Sequence, residues 1–128
     1  MDILVVDDNV ELLQYIHGFL TDAGHDVASS ASGEHALQVV EDSKRNFDVV
    51  VTDLAMPGMN GIELWEELKK ILPRAKVLFI SSCPAEFMEH YVPGAFLSKP
   101  FSLRDLHERV LRLVEPSYLG SAPILRKA

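Results

Sequence analysis

Three aspartates, one serine and one lysine are the residues of this chain best placed to do chemistry. Asp7-Asp8 follows the apolar run Ile3-Leu4-Val5-Val6, and Asp53 follows Val49-Val50-Val51-Thr52. Ser81 follows Val77-Leu78-Phe79-Ile80, and Lys99 comes just after Ala95-Phe96-Leu97. Short continuous apolar runs read as strands buried on both faces, and each of these delivers a reactive or binding group to its end. Parallel strands point the same way, so all five groups converge on one edge of the sheet. Three crowded carboxylates repel, and a hard divalent cation taking oxygen ligands, Mg²⁺ above all, relieves them. Phosphoryl transfer to a carboxylate needs such a set. Asp53 is then the nucleophile, the metal bridges it to the phosphoryl oxygens, and Lys99 and the Ser81 hydroxyl hold the remaining oxygens.

Each residue alone has a plainer reading. Asp53 reads equally as a cap for a helix starting near Gly61 or as a turn with Ala55, and Asp7-Asp8 as a helix cap. Lys99 reads as a surface lysine before a proline, and Ser81 as an ordinary loop serine. Their joint occurrence at strand ends favours a site.

The rest of the chain must position these strand ends. Val10, Leu13, Ile16, His17 and Leu20 recur at helical spacing after an Asn9 or Asp8 cap, until Ala23-Gly24 supplies a stop. Val27-Ala28-Ser29 is a second strand, and Ser32 caps a helix through Ala36, Leu37, Val39 and Val40 to near Ser43. The third strand runs from Phe47 to Val51, with Asp53 beyond it at the lip of the sheet and Pro57-Gly58 and Asn60-Gly61 as turns. A helix from Gly61 to Leu72 carries Ile62, Trp65, Leu68 and Ile71-Leu72 on its apolar face, and Pro73 ends it. After the fourth strand, Ala85 to Tyr91 is a short helix. The closing helix spans Ser102 to Glu115, with Leu103, Leu106, Val110, Leu111 and Val114 inward and a Ser102-x-x-Asp105 capping box. Five strands alternating with five helices imply a doubly wound parallel α/β sheet with helices on both faces and right-handed crossovers. Residues 1–115 form this domain, and 116–128 lose periodicity and read as a C-terminal tail or linker stump.

The 128 residues, 48% of them hydrophobic, suffice for one domain with a single core. Twelve basic against nineteen acidic residues give a charge of −7, the wrong sign for coating nucleic acid or an anionic membrane. The partner expected is a protein or small molecule. The single cysteine, Cys83, excludes an intrachain disulfide, and no apolar run approaches the roughly 18 residues of a membrane span. Met1-Asp2-Ile3 lacks the basic start of a signal peptide, so a cytoplasmic location is expected. The five histidines, His17, His25, His35, His90 and His107, lack metal-ligand spacing and read as structural or surface residues. Trp65 reads as core.

Taken together, Val5-Val6-Asp7-Asp8-Asn9, Asp53-Leu54-Ala55-Met56-Pro57 with Gly61, Ile80-Ser81-Ser82 and Phe96-Leu97-Ser98-Lys99-Pro100-Phe101 resemble the receiver domain of two-component response regulators. The resemblance covers residues 2–115. It implies a flavodoxin-like (CheY-like) strand order 2-1-3-4-5 and phosphorylation of Asp53 by a histidine kinase or a histidine phosphotransfer protein. It also implies Mg²⁺ held by Asp8, Asp53 and the Ala55 carbonyl, with Asp7 close by. Phe96 becomes an aromatic switch coupled to Ser81, moving inward from a more exposed rotamer; lacking a hydroxyl, its ring meets no polar penalty inside, so the inward state is expected to be populated even without phosphate. The face formed by the fourth helix, fifth strand and fifth helix is the implied output surface and a candidate homodimer interface. Residues 82–98 are a shorter link between Ser81 and Lys99 than the family usually has, and the loss falls on the fourth helix.

Two other functions compete. An aspartyl-phosphate phosphatase or mutase of the haloacid-dehalogenase kind wants a second acid two residues past the nucleophile, where this chain has Ala55. The signalling phosphoacceptor is therefore preferred over the enzyme. A receiver-like module acting by contact alone is disfavoured by the full set of Asp8, Asp53, Ser81 and Lys99.

Overall fold

In a computed structural model of the chain, residues 1–82 and 95–114 are described. The elements are β1 (Asp2–Val6), α1 (Val10–Asp22), β2 (Asp26–Ser30), α2 (Gly33–Ser43), β3 (Val49–Asp53), α3 (Gly61–Ile71), β4 (Lys76–Ser81), β5 (Phe96–Ser98) and α4 (Leu103–Val114). The strands form one parallel sheet in the order β2-β1-β3-β4-β5. This is the doubly wound, flavodoxin-like arrangement the alternating pattern implied, with β1 and β3 side by side at its centre.

Because side chains alternate along a strand, each strand feeds two cores. Leu4, Val6, Val50 and Phe79 pack with Ala36 and Val40 of α2 and Leu64, Trp65 and Leu68 of α3. Ile3, Val5, Val49, Val51, Leu78 and Ile80 pack on the opposite side with Leu13, Ile16 and Leu20 of α1 and Leu106 and Val110 of α4. Each fully buried Leu or Ile stabilises the fold by about 1.5–3 kcal/mol, and these two layers hold the strand ends rigidly. Trp65 is core, as its place in the apolar stripe indicated.

Helix starts are fixed by side-chain caps. Leu12 N–H donates to Asn9 Oδ1 at 3.1 Å, so Asn9 is the cap of α1, and His35 N–H donates to Ser32 Oγ at 3.1 Å. At α3, Glu63 N–H donates to Asn60 Oδ1 at 2.9 Å while Asn60 N–H donates to Glu63 Oε1 at 3.0 Å, a reciprocal box. Ser102 Oγ accepts from Asp105 N–H at 3.0 Å at the start of α4.

Three details differ from the sequence reading. β3 starts at Val49 rather than Phe47 and includes Asp53, which pairs with Ile80. Asp53 is thus the last rung of the ladder rather than a residue beyond it, because Leu54 N–H still reaches Ile80 O at 2.9 Å and carries the pairing past the apolar run. On α3, Leu64 is fully buried and Ile71, at the last turn, is exposed. The short helix expected over Ala85–Tyr91, the residues Cys83 and His90, and the tail 116–128 lie outside the described residues.

Candidate functional site

The C-terminal ends of β1, β3, β4 and β5 meet at one edge of the sheet, as parallel strands require. Asp7, one residue past β1, is only 1% exposed. Its Oδ1 accepts the Asn9 N–H at 2.9 Å, while its Oδ2 has no hydrogen-bond partner among the described residues. Burial pushes the Asp7 carboxyl above its ordinary value of 3.8, and the negative charges of Asp53 and Asp8 add to that; the Asn9 N–H and the Lys99 charge oppose it. Asp8 is exposed, and carboxylate oxygens of Asp7, Asp8 and Asp53 all lie within 4.8 Å of one another.

Asp53 is 5% exposed and is gripped on both oxygens. Lys99 Nζ donates to Oδ2 at 3.2 Å, and the Ala55 N–H lies 3.4 Å from Oδ1. The turn with Ala55 that a solitary aspartate would suggest is therefore present, and the cap of α3 is Asn60, not Asp53. Around the Asp53 carbonyl space is minimal: Thr52 Oγ1 donates to it at 3.0 Å, and a Cβ on Gly61 would come within 2.3 Å of it. Glycine at 61 is required by that close approach, since Gly61 N–H also bonds Leu54 O at 3.0 Å.

Ser81 closes β4 and is buried, and the Lys99 N–H donates to the Ser81 carbonyl at 2.9 Å. The predicted residues Asp7, Asp8, Asp53, Ser81 and Lys99 are thus brought to one edge, with the exposed Ala55 beside Asp53. Three carboxylates with one buried, unpartnered oxygen form a donor set suited to a hard divalent cation such as Mg²⁺. Phe96 is 5% exposed, in the inward state that its lack of a hydroxyl allows even without phosphate, its ring tilted at 34° against Phe79 with centroids 5.3 Å apart. An apolar ring against an apolar ring has no reason to stay in water.

Sequence reasoning missed several contacts. The Arg109 guanidinium donates to the Phe96 carbonyl. Asn60 with Glu63 three residues later was a legible capping signal, read instead as turn chemistry. His25 Nε2 lies 2.9 Å from His107 Nε2, across residues too distant in sequence for any spacing rule. Burial lowers the His25 value from its usual 6.5, helped by the N-terminal ammonium and by His107.

A family model for the response regulator receiver domain matches residues 3–111. The chain belongs to this family of receiver domains. This receiver domain is 36% identical over 104 residues to the chemotaxis protein CheY of Thermotoga maritima, covering 77% of this chain and 85% of that protein. It is 35% identical over 113 residues to the transcriptional regulatory protein YrkP of Bacillus subtilis, covering 85% of this chain and 47% of that protein. Among solved structures, the receiver domain of the hybrid histidine kinase CckA aligns with a TM-score of 0.76 at 30% identity, over 89% of this chain and 99% of that one. The chain spans about half the length, or less, of several curated relatives, YrkP at 47% among them. The receiver domain has no helix among its described residues long and apolar enough to cross a membrane.

Proposed function

We propose that this receiver domain is a phosphoacceptor switch in a two-component phosphorelay, with Asp53 as the acceptor. The observation that carries the reading is the Lys99 ammonium 3.2 Å from Asp53 Oδ2, in the same strand-end cluster as two further carboxylates. A nucleophilic carboxylate flanked by a cation and by a metal-type donor set is what in-line transfer of a phosphoryl group requires. Asp8, Asp53 and the Ala55 carbonyl, with Asp7 beside them, would hold Mg²⁺, which when bound would supply charge neutralisation for the phosphoryl oxygens.

An Asp53 carboxylate oxygen attacks phosphorus and forms the acyl-phosphate P–O bond. The P–N bond of a phosphohistidine donor breaks, and its electron pair stays on the imidazole nitrogen. Lys99 exchanges its carboxylate partner for a phosphoryl oxygen, and the Ser81 hydroxyl donates to another. The donor is a histidine kinase or a histidine phosphotransfer protein. An open, largely apolar cavity of about 430 Å³, lined by Leu12, Ser82, Lys99, Pro100 and Phe101, lies beside the site and suits the approach of such a partner. Ser81 and Phe96 form the switch, and the output surface, also the place for a homodimer, comprises the fourth predicted helix, β5 and α4. The functional unit is residues 1–115, with 116–128 as tail or linker, working in the cytoplasm. The alternative of a phosphatase or mutase is disfavoured by Ala55, which offers no proton shuttle two residues past Asp53.

The test is mass spectrometry after incubation with Mg²⁺ and acetyl phosphate. A single phosphoryl adduct is expected for the native chain and none for Asp53→Asn; an undiminished adduct in that variant overturns the assignment.

A further inference from the structure

The loop between β3 and α3 carries Ala55, and it is held from outside by α2. Glu34, in the first turn of α2, accepts the Met59 N–H on Oε2 at 3.1 Å. Gly58 has φ +73°, and the space where its Cβ would stand is filled by the same carboxylate, 2.7 Å away. Gly33, the residue before Glu34, lets Met59 approach so closely that a Cβ there would meet the Met59 side chain at 3.1 Å. Two glycines thus make room for one carboxylate to seize one loop.

At its other end the same loop makes the 3.4 Å contact from Ala55 N–H to Asp53 Oδ1. A contact of that length is sensitive to small movements, since hydrogen bonds weaken steeply beyond ordinary distances. Residues 54–60 are tied at 54 and 61 by the bond from Gly61 N–H to Leu54 O, and between those points Glu34 supplies a side-chain anchor.

We propose that Glu34 is a positioning residue for the acidic site: by fixing Gly58-Met59 it sets where Ala55 stands relative to Asp53, and so tunes divalent-cation affinity. Glu34 touches neither the cation nor the phosphoryl group in this account. The inference rests on the proposed Mg²⁺ site, and its test reads metal binding separately from phosphorylation.

The experiment titrates Mg²⁺ into the full chain by calorimetry, without phosphodonor, for the native protein, Glu34→Ala, Glu34→Gln and Glu41→Ala. Glu41 is exposed on α2 and serves as a charge control. Loss of one hydrogen bond is expected to weaken Mg²⁺ binding about threefold to tenfold in Glu34→Ala. Glu34→Gln keeps an acceptor oxygen and is expected to stay within about twofold of native, as is Glu41→Ala. Adduct formation with acetyl phosphate at low Mg²⁺ should slow in Glu34→Ala and recover at saturating Mg²⁺. Native-like binding in Glu34→Ala overturns the proposal. So does equal weakening in Glu34→Gln or Glu41→Ala, which would assign the effect to distant charge. A native chain that binds Mg²⁺ in this pattern yet forms no adduct refutes the phosphoacceptor reading and leaves the role of Glu34 standing.

Discussion

Asp7→Asn should make the metal-free protein more stable. The substituted amide keeps an oxygen for the Asn9 N–H, which donates to Oδ1 at 2.9 Å, and places an NH₂ donor where Oδ2 now has no partner among the described residues. It also removes one of three negative charges packed within 4.8 Å. At that separation a pair of unit charges repels by about 3 kcal/mol at an effective dielectric near 20. Solvent screening of the exposed Asp8 and the offsetting Lys99 charge reduce this, and a net gain of about 1–2 kcal/mol remains. In a domain of this size that raises the melting midpoint by about 4–10 °C. Chemical or thermal unfolding in EDTA reads the effect. The pH dependence follows from the raised Asp7 value. An acid whose native value is raised binds more protons folded than unfolded, so the contribution of Asp7 to metal-free stability is fully present below its unfolded value near 3.8 and is lost as pH rises through the native one. Asp7→Asn should lack that component. Mg²⁺ reverses the ranking, because cation at about 100 times its dissociation constant adds about 2.7 kcal/mol to a protein that binds it and less to one missing a ligand. A variant less stable than native in EDTA, or equally stabilised by Mg²⁺, refutes the reasoning.

Gly61→Ala should destabilise the fold by about 1–3 kcal/mol and slow adduct formation, since its Cβ would press within 2.3 Å of the Asp53 carbonyl; native stability in denaturant would contradict that crowding. Introducing Asn at position 55 should shorten the life of the phosphorylated protein, because Ala55 gives attacking water no hydrogen-bonding side chain. Decay of the purified phosphoprotein measures it, and an unchanged half-life counts against the argument. Beryllofluoride on Asp53 should shift the ring resonances of Phe96 and Phe79, which are in contact at 5.3 Å, and unaltered spectra would exclude Phe96 as the switch.

The sheet and its site were legible because both depend on local rules. Val49-Val50-Val51 could be nothing but a doubly buried strand, and strand direction then brought Asp7, Asp53, Ser81 and Lys99 to one edge without further information. What escaped the sequence was lateral. The link from Glu34 to Met59 joins residues 25 apart, and that from His25 to His107 joins residues 82 apart, so no periodicity announces either. The inward ring of Phe96 was allowed by its lack of a hydroxyl, but its partner Phe79 was not legible, since a rotamer is chosen by neighbours and not by the residue's own pattern.

The bond from Arg109 to the Phe96 carbonyl has a mechanical meaning. The Phe96 ring lies in the layer beneath α2 and α3, whereas Arg109 belongs to α4, which covers the other side of the sheet with Leu97. Residue 96 is therefore held like an axle through a wall, with its ring on one side and its carbonyl gripped from the other. Any twist of that peptide as the ring turns must drag on α4 or break its grip. Events in one hydrophobic layer thereby acquire a handle on the opposite surface.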